Sequence, residues 1–160
     1  MTELADDLAR DGLRLCYHHH MGTVVETGAE IDRLMAATGD SVALLLDTGH
    51  LACAGADPAG VARRHGQRIR HVHCKDVRPG VLDRALAEDA SFLDAVLAGV
   101  FTVPGDGCID FAGVLMALAR AEYHGWLVVE AEQDPVTAPP LDYARHGFAH
   151  LSAVIERAGP

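Results

Sequence analysis

A chain of 160 residues with 49% hydrophobic and 22% charged residues can bury a core without disulfide or metal staples, which excludes collagen-like, disordered and small-scaffold classes. Its 13 Lys and Arg against 23 Asp and Glu give a net charge of −10, so no fixed positive field draws it to a phosphate backbone or an anionic membrane surface, and neither nucleic acid nor membrane is expected as a partner. Cys16, Cys53, Cys74 and Cys108 are widely spaced with no C-x-x-C pair, the apolar runs fall far short of the roughly 18 residues that span a bilayer, and the N-terminus is acidic. A reduced, cytoplasmic chain is predicted.

In chain order, a short helix comes first, with Leu4 and Leu8 one turn apart. Four β-rich runs follow, each bounded by polar residues or glycine: Leu13 to Tyr17, Val42 to Leu46, Ile69 to Val72, and Trp126 to Val129. Helical spacing fills the gaps, with Ile31, Leu34 and Met35 after the first run, Val61, Ala62 and His65 after the second, and Phe111, Val114, Leu115 and Leu118 before the fourth. A last helix runs from Leu141 to Ile155, led in by Ala138 to Pro140. The runs VALLL and WLVV predict strands buried on both faces, as in a parallel sheet between helices. Between the third and fourth runs lie an extra helical stretch, Val81 to Leu97, and the loop VPGDGCID, on the side where α/β enzymes build lids and substrate loops. One domain over residues 1–160 is expected, an opening helix followed by four parallel βα units.

Each run ends in ionisable side chains: His18, His19 and His20; Asp47 and His50; His73, Lys75, Asp76 and Arg78; Glu130, Glu132 and Asp134. Strand ends of a parallel sheet share one face, so these residues are expected to converge. Imidazoles and carboxylates together suit a divalent ion such as Mn, Co, Fe or Zn. An unpaired carboxylate directly after VALLL would be costly, which favours Asp47 as a ligand over a loop cap. His71 and His73 share a face by alternation, and His73, nearer the exit, is the better ligand. Glu130 and Glu132 also share a face, with Glu130 the ligand candidate and one of the pair expected at the surface. His18 and His20 share a face while His19 points away. His50 reads as a ligand orienter or a binder of substrate hydroxyls. Lys75, Asp76 and Arg78 are either groups for substrate oxygens and proton transfer or a surface ion-pair cluster. The GDG turn lacks the lysine of a phosphate loop, and the cysteines read as small core residues.

The segments YHHHMGTVVET (17–27), LLLDTGHLA (44–52), HVHCKDVRP (71–79), FTVPGDGCIDF (101–111) and GWLVVEAEQDP (125–135) together resemble the myo-inosose-2 dehydratase family, within the xylose-isomerase-like sugar isomerase/epimerase superfamily of TIM barrels. The resemblance implies an Mn²⁺- or Co²⁺-dependent lyase that removes water from scyllo-inosose, a cyclic polyol ketone, to give a trihydroxycyclohexane-dione. It implies a ligand set of His18, Asp47, His73 and Glu130. Relatives carry a glutamate where this chain has His18, so either His18 binds the ion or three protein ligands are completed by water. It also implies that His50 and Arg78 contact substrate. The base is then Glu130, Lys75 or a hydroxide on the metal, and His50 or His20 protonates the leaving hydroxyl.

A sugar isomerase or epimerase would share the first half of that chemistry. The endonuclease IV branch, which acts on abasic DNA, is disfavoured by the charge of −10. A whole (β/α)₈ barrel takes about 250 residues, so the fold expected here is its C-terminal half. The chain is then either a homodimer-forming half-barrel or a non-catalytic piece that needs an N-terminal half, because uncovered strand edges invite pairing.

Overall fold

The structure, a computed structural model, describes residues 1–158. Helix α1 (Thr2–Arg10) leads into strand β1 (Leu15–His18). Helix α2 (Gly28–Ala37) opens on a capping box, in which the Thr27 hydroxyl accepts from the Glu30 N–H and the Glu30 carboxylate accepts from the Thr27 N–H. At its other end Arg68 donates to the carbonyls of Met35, Thr38 and Gly39, which the helix itself leaves unpaired. Strand β2 (Val42–Asp47) passes directly into a short helix α3 (Thr48–Cys53) that periodicity did not announce. Helix α4 (Pro58–His65), capped by Asp57, then leads into β3 (Ile69–Cys74).

The stretch expected as one helix over Val81 to Leu97 is two, α5 (Pro79–Ala87) and α6 (Phe92–Leu97). The break has a local cause. Asp89 adopts a left-handed φ of 50°, and Ser91 opens a new helix by accepting from the Asp94 N–H. Both helices sit between two short strands, β4 (Asp76–Val77) and β5 (Phe101–Thr102), which pair antiparallel. Helix α7 (Phe111–Arg120), strand β6 (Leu127–Val129) and helix α8 (Pro140–Ala158) complete the chain order.

The main sheet has the order β1-β2-β3-β6 with every pairing parallel, so strands and helices alternate as expected. Leu44, Leu46, Ile69, Val72 and Cys74 are wholly buried in one cluster with Ile31, Met35, Val61, Phe111, Val114 and Leu118 from the helices. The other face differs from expectation. Leu45, His71, His73 and Val128 are only half-buried, so VALLL and WLVV are not covered on both sides. Among the described residues the sheet does not close on itself: β1 pairs only with β2, β6 only with β3, and Trp126, at the edge of β6, is 77% exposed. A second small core of Cys53, Val77, Val100 and Phe101 holds the α5–α6 excursion. All four cysteines are free thiols, and among the described residues no helix is long and apolar enough to cross a membrane.

Candidate metal centre

Strands β2 and β3 run one or two residues beyond their apolar runs, and this extension puts Asp47 and His73 in register with each other. His18, the last residue of β1, and Glu130, the first after β6, complete a row of strand ends. His18 Nε2 and His73 Nδ1 each lie 3.4 Å from Asp47 Oδ2, and His73 Nδ1 lies 2.8 Å from Glu130 Oε2. All four atoms are buried, and among the described residues none has a hydrogen-bond partner. The close His73–Glu130 approach lacks hydrogen-bond alignment, so these atoms face a shared space rather than one another. An unpaired buried acceptor costs about 1–3 kcal/mol, and a divalent ion held by His18, Asp47 and His73, whose ligand atoms lie within 4.8 Å of one another, would relieve three of the four, with Glu130 beside them.

Asp47 divides its work between its oxygens. Oδ1 accepts from the His50 N–H at 2.9 Å and caps α3, while Oδ2 faces the cluster. Burial alone would raise the Asp47 carboxyl, but contacts with His18 and His73 and the charge of Lys75 outweigh it and hold the group well below the usual carboxylate range. Contact with Asp47, and then with Glu130, pushes the His73 imidazole up to about 9. A bound cation would take the place of that proton.

Lys75 lies beside this cluster and is wholly buried. Its Nζ is 2.9 Å from Glu132 Oε2, 3.3 Å from Glu130 Oε2, 3.5 Å from Asp47 Oδ2 and 3.1 Å from His50 Nε2. Burial favours loss of its proton, but the three carboxylates outweigh burial and raise its pKa, so the ammonium persists. An ammonium only donates, which makes His50 Nε2 the acceptor. Burial drives the His50 imidazole down to about 3, and it stays neutral. The DTGH turn is shaped by this lysine. Thr48 Oγ1 donates to the Lys75 carbonyl and accepts from the Lys75 N–H, and a Cβ on Gly49 would lie 2.5 Å from Lys75 Cγ, so only glycine leaves room for the stem.

Residues 1–154 match the family model described as xylose isomerase-like TIM barrel. The chain belongs to this family. It is 55% identical over 159 residues to the rhizopine catabolism protein MocC of Rhizobium meliloti, covering 99% of this chain and 49% of that protein. It is likewise 55% identical over 145 residues to an inosose dehydratase of Geobacillus thermodenitrificans, covering 90% of this chain and 49% of the relative. Among solved structures, the crystal structure of the IolI protein with a binding zinc atom superposes with a TM-score of 0.71 at 20% identity, covering 98% of this chain and 54% of the other. The chain thus spans about half the length of the curated relatives it matches.

Several residues of this xylose isomerase-like chain have roles that the sequence did not assign. His19 points away from the His18 and His20 face but is not idle: it is wholly buried and its Nε2 accepts from the Asp47 N–H at 3.1 Å. Burial lowers its imidazole to about 4 and keeps it in that accepting role. Glu130 and Glu132 both turn into the site, so neither is the surface residue expected of the pair; the i, i+2 spacing already carried that signal. Glu132 joins His20 and His50 in a second group of converging ligand atoms, which already holds the Lys75 ammonium.

Lys75 and Asp76 form no surface ion-pair cluster. Asp76 is buried, accepting from the N–H groups of Val77, Gly105 and Ile109, and so ties the VPGDGCID loop to β4. Arg78 also binds this part of the fold. Its guanidinium donates to the Gly99 carbonyl, to Thr102 Oγ1, to Asp106 and to Tyr143 Oη, so its donors are directed at the α5–α6 excursion and helix α8 rather than at the histidine cluster.

Proposed function

We propose that the chain carries the metal-binding half of an inosose dehydratase, acting on a cyclic polyol ketone with Mn²⁺ or Co²⁺ held by His18, Asp47, His73 and Glu130. The observation that carries this reading is the set of four buried, partnerless ligand atoms at the strand ends, in a chain 55% identical to an inosose dehydratase. A divalent ion bound there would act as a Lewis acid on the ketone. Free thiols at all four cysteines agree with a cytoplasmic setting.

The chain's own residues account for the proton movements. Dehydrating a β-hydroxy ketone moves a proton off the carbon next to the carbonyl and another onto the departing hydroxyl. His20 Nδ1 donates to the Met21 carbonyl at 2.8 Å, which leaves Nε2 as the ring nitrogen turned toward Glu132. Nε2 faces Glu132 Oε1 at 3.7 Å, and both side chains are partly exposed. The proton taken from carbon by one of this pair can therefore be delivered to the hydroxyl, and the two leave together as water. Lys75 anchors the other oxygen of Glu132, and His50, 1% exposed, supports Lys75 and lies against His20 at a ring separation of 3.6 Å with the rings tilted by 39°. Substrate contact in this scheme falls to His20 and Glu132. Lys75 and His50 position them, Glu130 is retained as a ligand, and Arg78 braces the α5–α6 excursion against helix α8.

The unpaired edges of β1 and β6 and the half-covered inner face support a further element of the reading: these residues are the C-terminal half of the barrel, and turnover needs the other half beside them. Protein purified without a histidine tag is expected to retain a divalent ion that a D47A/H73A variant loses; equal metal in both overturns the ligand assignment. With scyllo-inosose and Mn²⁺ or Co²⁺, dione absorbance is expected to grow once a companion half from a related dehydratase is added. A folded, metal-loaded and complemented sample without product overturns the dehydratase reading.

A further inference from the structure

The four phenylalanines of the chain differ in exposure, and Phe148, on helix α8, is 69% exposed. Phe101 and Phe111 are buried in the core, at 0% and 2% exposure. Phe92 is 41% exposed, yet it is not stranded on an outer surface. Its ring centroid lies 5.5 Å from that of His20, 6.2 Å from that of His50 and 6.1 Å from that of Phe101. It stands at the first position of α6, directly after the Ser91 cap, so the break between α5 and α6 determines where the ring is presented. Apart from Phe101, the side chains named around Phe92 are polar: His20 and His50, with Lys75 and Glu132 next to them. One half-exposed phenyl face beside a polar cluster is poorly explained as packing, because its remaining apolar area gains nothing until something apolar covers it.

We infer that Phe92 is the plate on which the face of a six-membered polyol ring stacks, and that it selects such rings over open-chain hydroxy ketones. The inference rests on the dehydratase reading and adds to it the means of substrate choice. A cyclohexane ring with its hydroxyls equatorial directs oxygens outward around its rim and leaves only axial C–H bonds on its two faces. Its recognition calls for polar groups at the rim and an apolar, electron-rich surface on the face, and an aromatic ring supplies the latter at low entropic cost. An open-chain ketose has the same ketone and hydroxyl groups for the polar cluster but no such face.

Calorimetric titration of the wild-type chain and of Phe92→Ala, Phe92→Leu and Phe92→Tyr with scyllo-inosose and with erythrulose tests this. Erythrulose is a four-carbon hydroxy ketone too short to close a stable ring. Phe92→Ala is expected to weaken inosose binding about tenfold while changing erythrulose binding less than about twofold, the size of one lost aromatic contact. Phe92→Leu, which keeps apolar bulk without the flat face, gives an intermediate loss, and Phe92→Tyr binds as wild type. An Ala variant that binds inosose unchanged, or weakens both ligands equally, overturns the Phe92 assignment and leaves the dehydratase reading standing, as does a Tyr variant as weak as Ala. A wild-type chain that binds erythrulose but not inosose overturns both.

Discussion

The two faces of the parallel sheet are made from alternating residues of the same strands, yet they have opposite economies. Toward the helices, Leu44, Leu46, Val72 and Cys74 leave water completely and meet apolar neighbours from α2, α4 and α7. On the other face Asp47, His73 and Lys75 hold charge in a buried setting, beside Leu45 and Val128, which stay half in water. The helix-covered face stabilises the fold at roughly 25 cal/mol per Å² of apolar area buried. The inner face costs desolvation, which is offset only while its charges remain mutually compensated. The two-residue period of a strand therefore separates stability from chemistry, and adjacent residues belong to different faces.

Asp47 is the inner-face residue whose loss breaks this separation most severely. Replacing it with alanine leaves the buried Lys75 ammonium with one fewer counter-charge and uncaps α3. Asp47→Ala is expected to lose about 3–5 kcal/mol of stability, the usual cost of removing one partner from a buried charge pair, read as a fall in the urea midpoint. Asp47→Asn keeps the oxygen that caps α3, so it should fall by less while still losing the metal. A wild-type midpoint for Asp47→Ala would show that the inner face contributes no compensated charge to the fold.

A paired substitution then sharpens the comparison. Leu46→Ala, on the helix side, is expected to cost about 2–5 kcal/mol through lost burial and a residual cavity. Leu45→Ala, one residue earlier on the open face, should cost about 1 kcal/mol, because water already reaches part of that side chain. Equal losses, measured by denaturant titration at the same protein concentration, would mean that the inner face is covered in solution. A concentration-dependent Leu45 effect would identify a second copy as the cover.

Much of this arrangement was legible in the sequence, for reasons that also mark where legibility ended. The strands were readable because VALLL and WLVV are apolar and bounded, and the site because a polar burst follows each run. Periodicity says nothing about how fully the faces of a sheet are covered, however, so the same runs predicted burial on both sides where Leu45 and all of β6 stay half-exposed. The break at Asp89 went unseen because it depends on a positive φ that an apolar pattern does not encode. His19 was missed because alternation set it off the His18 and His20 face. That placement lets its ring accept from the Asp47 backbone N–H, a role no spacing rule reveals. Arg78 was read by position after β3, whereas its partners come from residues 21 to 65 positions later in the chain.

The smallest effect is expected far from the site, at the start of α2, and it tests whether stability can be changed without touching the metal cluster. Thr27→Ala removes the hydroxyl that accepts from the Glu30 N–H and should cost about 1 kcal/mol, the usual worth of such a cap, with metal content unchanged. The reciprocal half of the box adds a pH signature. Backbone N–H groups of Thr27 and Glu26 hold the Glu30 carboxyl below its ordinary value. A lowered carboxyl contributes stability that is present above its unfolded-state pKa and lost as the pH falls through its folded value. The wild type should therefore exceed Glu30→Gln fully at neutral pH, and the gap should close on acidification through the glutamate range. If either α2 variant also lost metal, the helix-covered face and the inner face would be coupled through β1 and β2, and the separation drawn from strand alternation would fail.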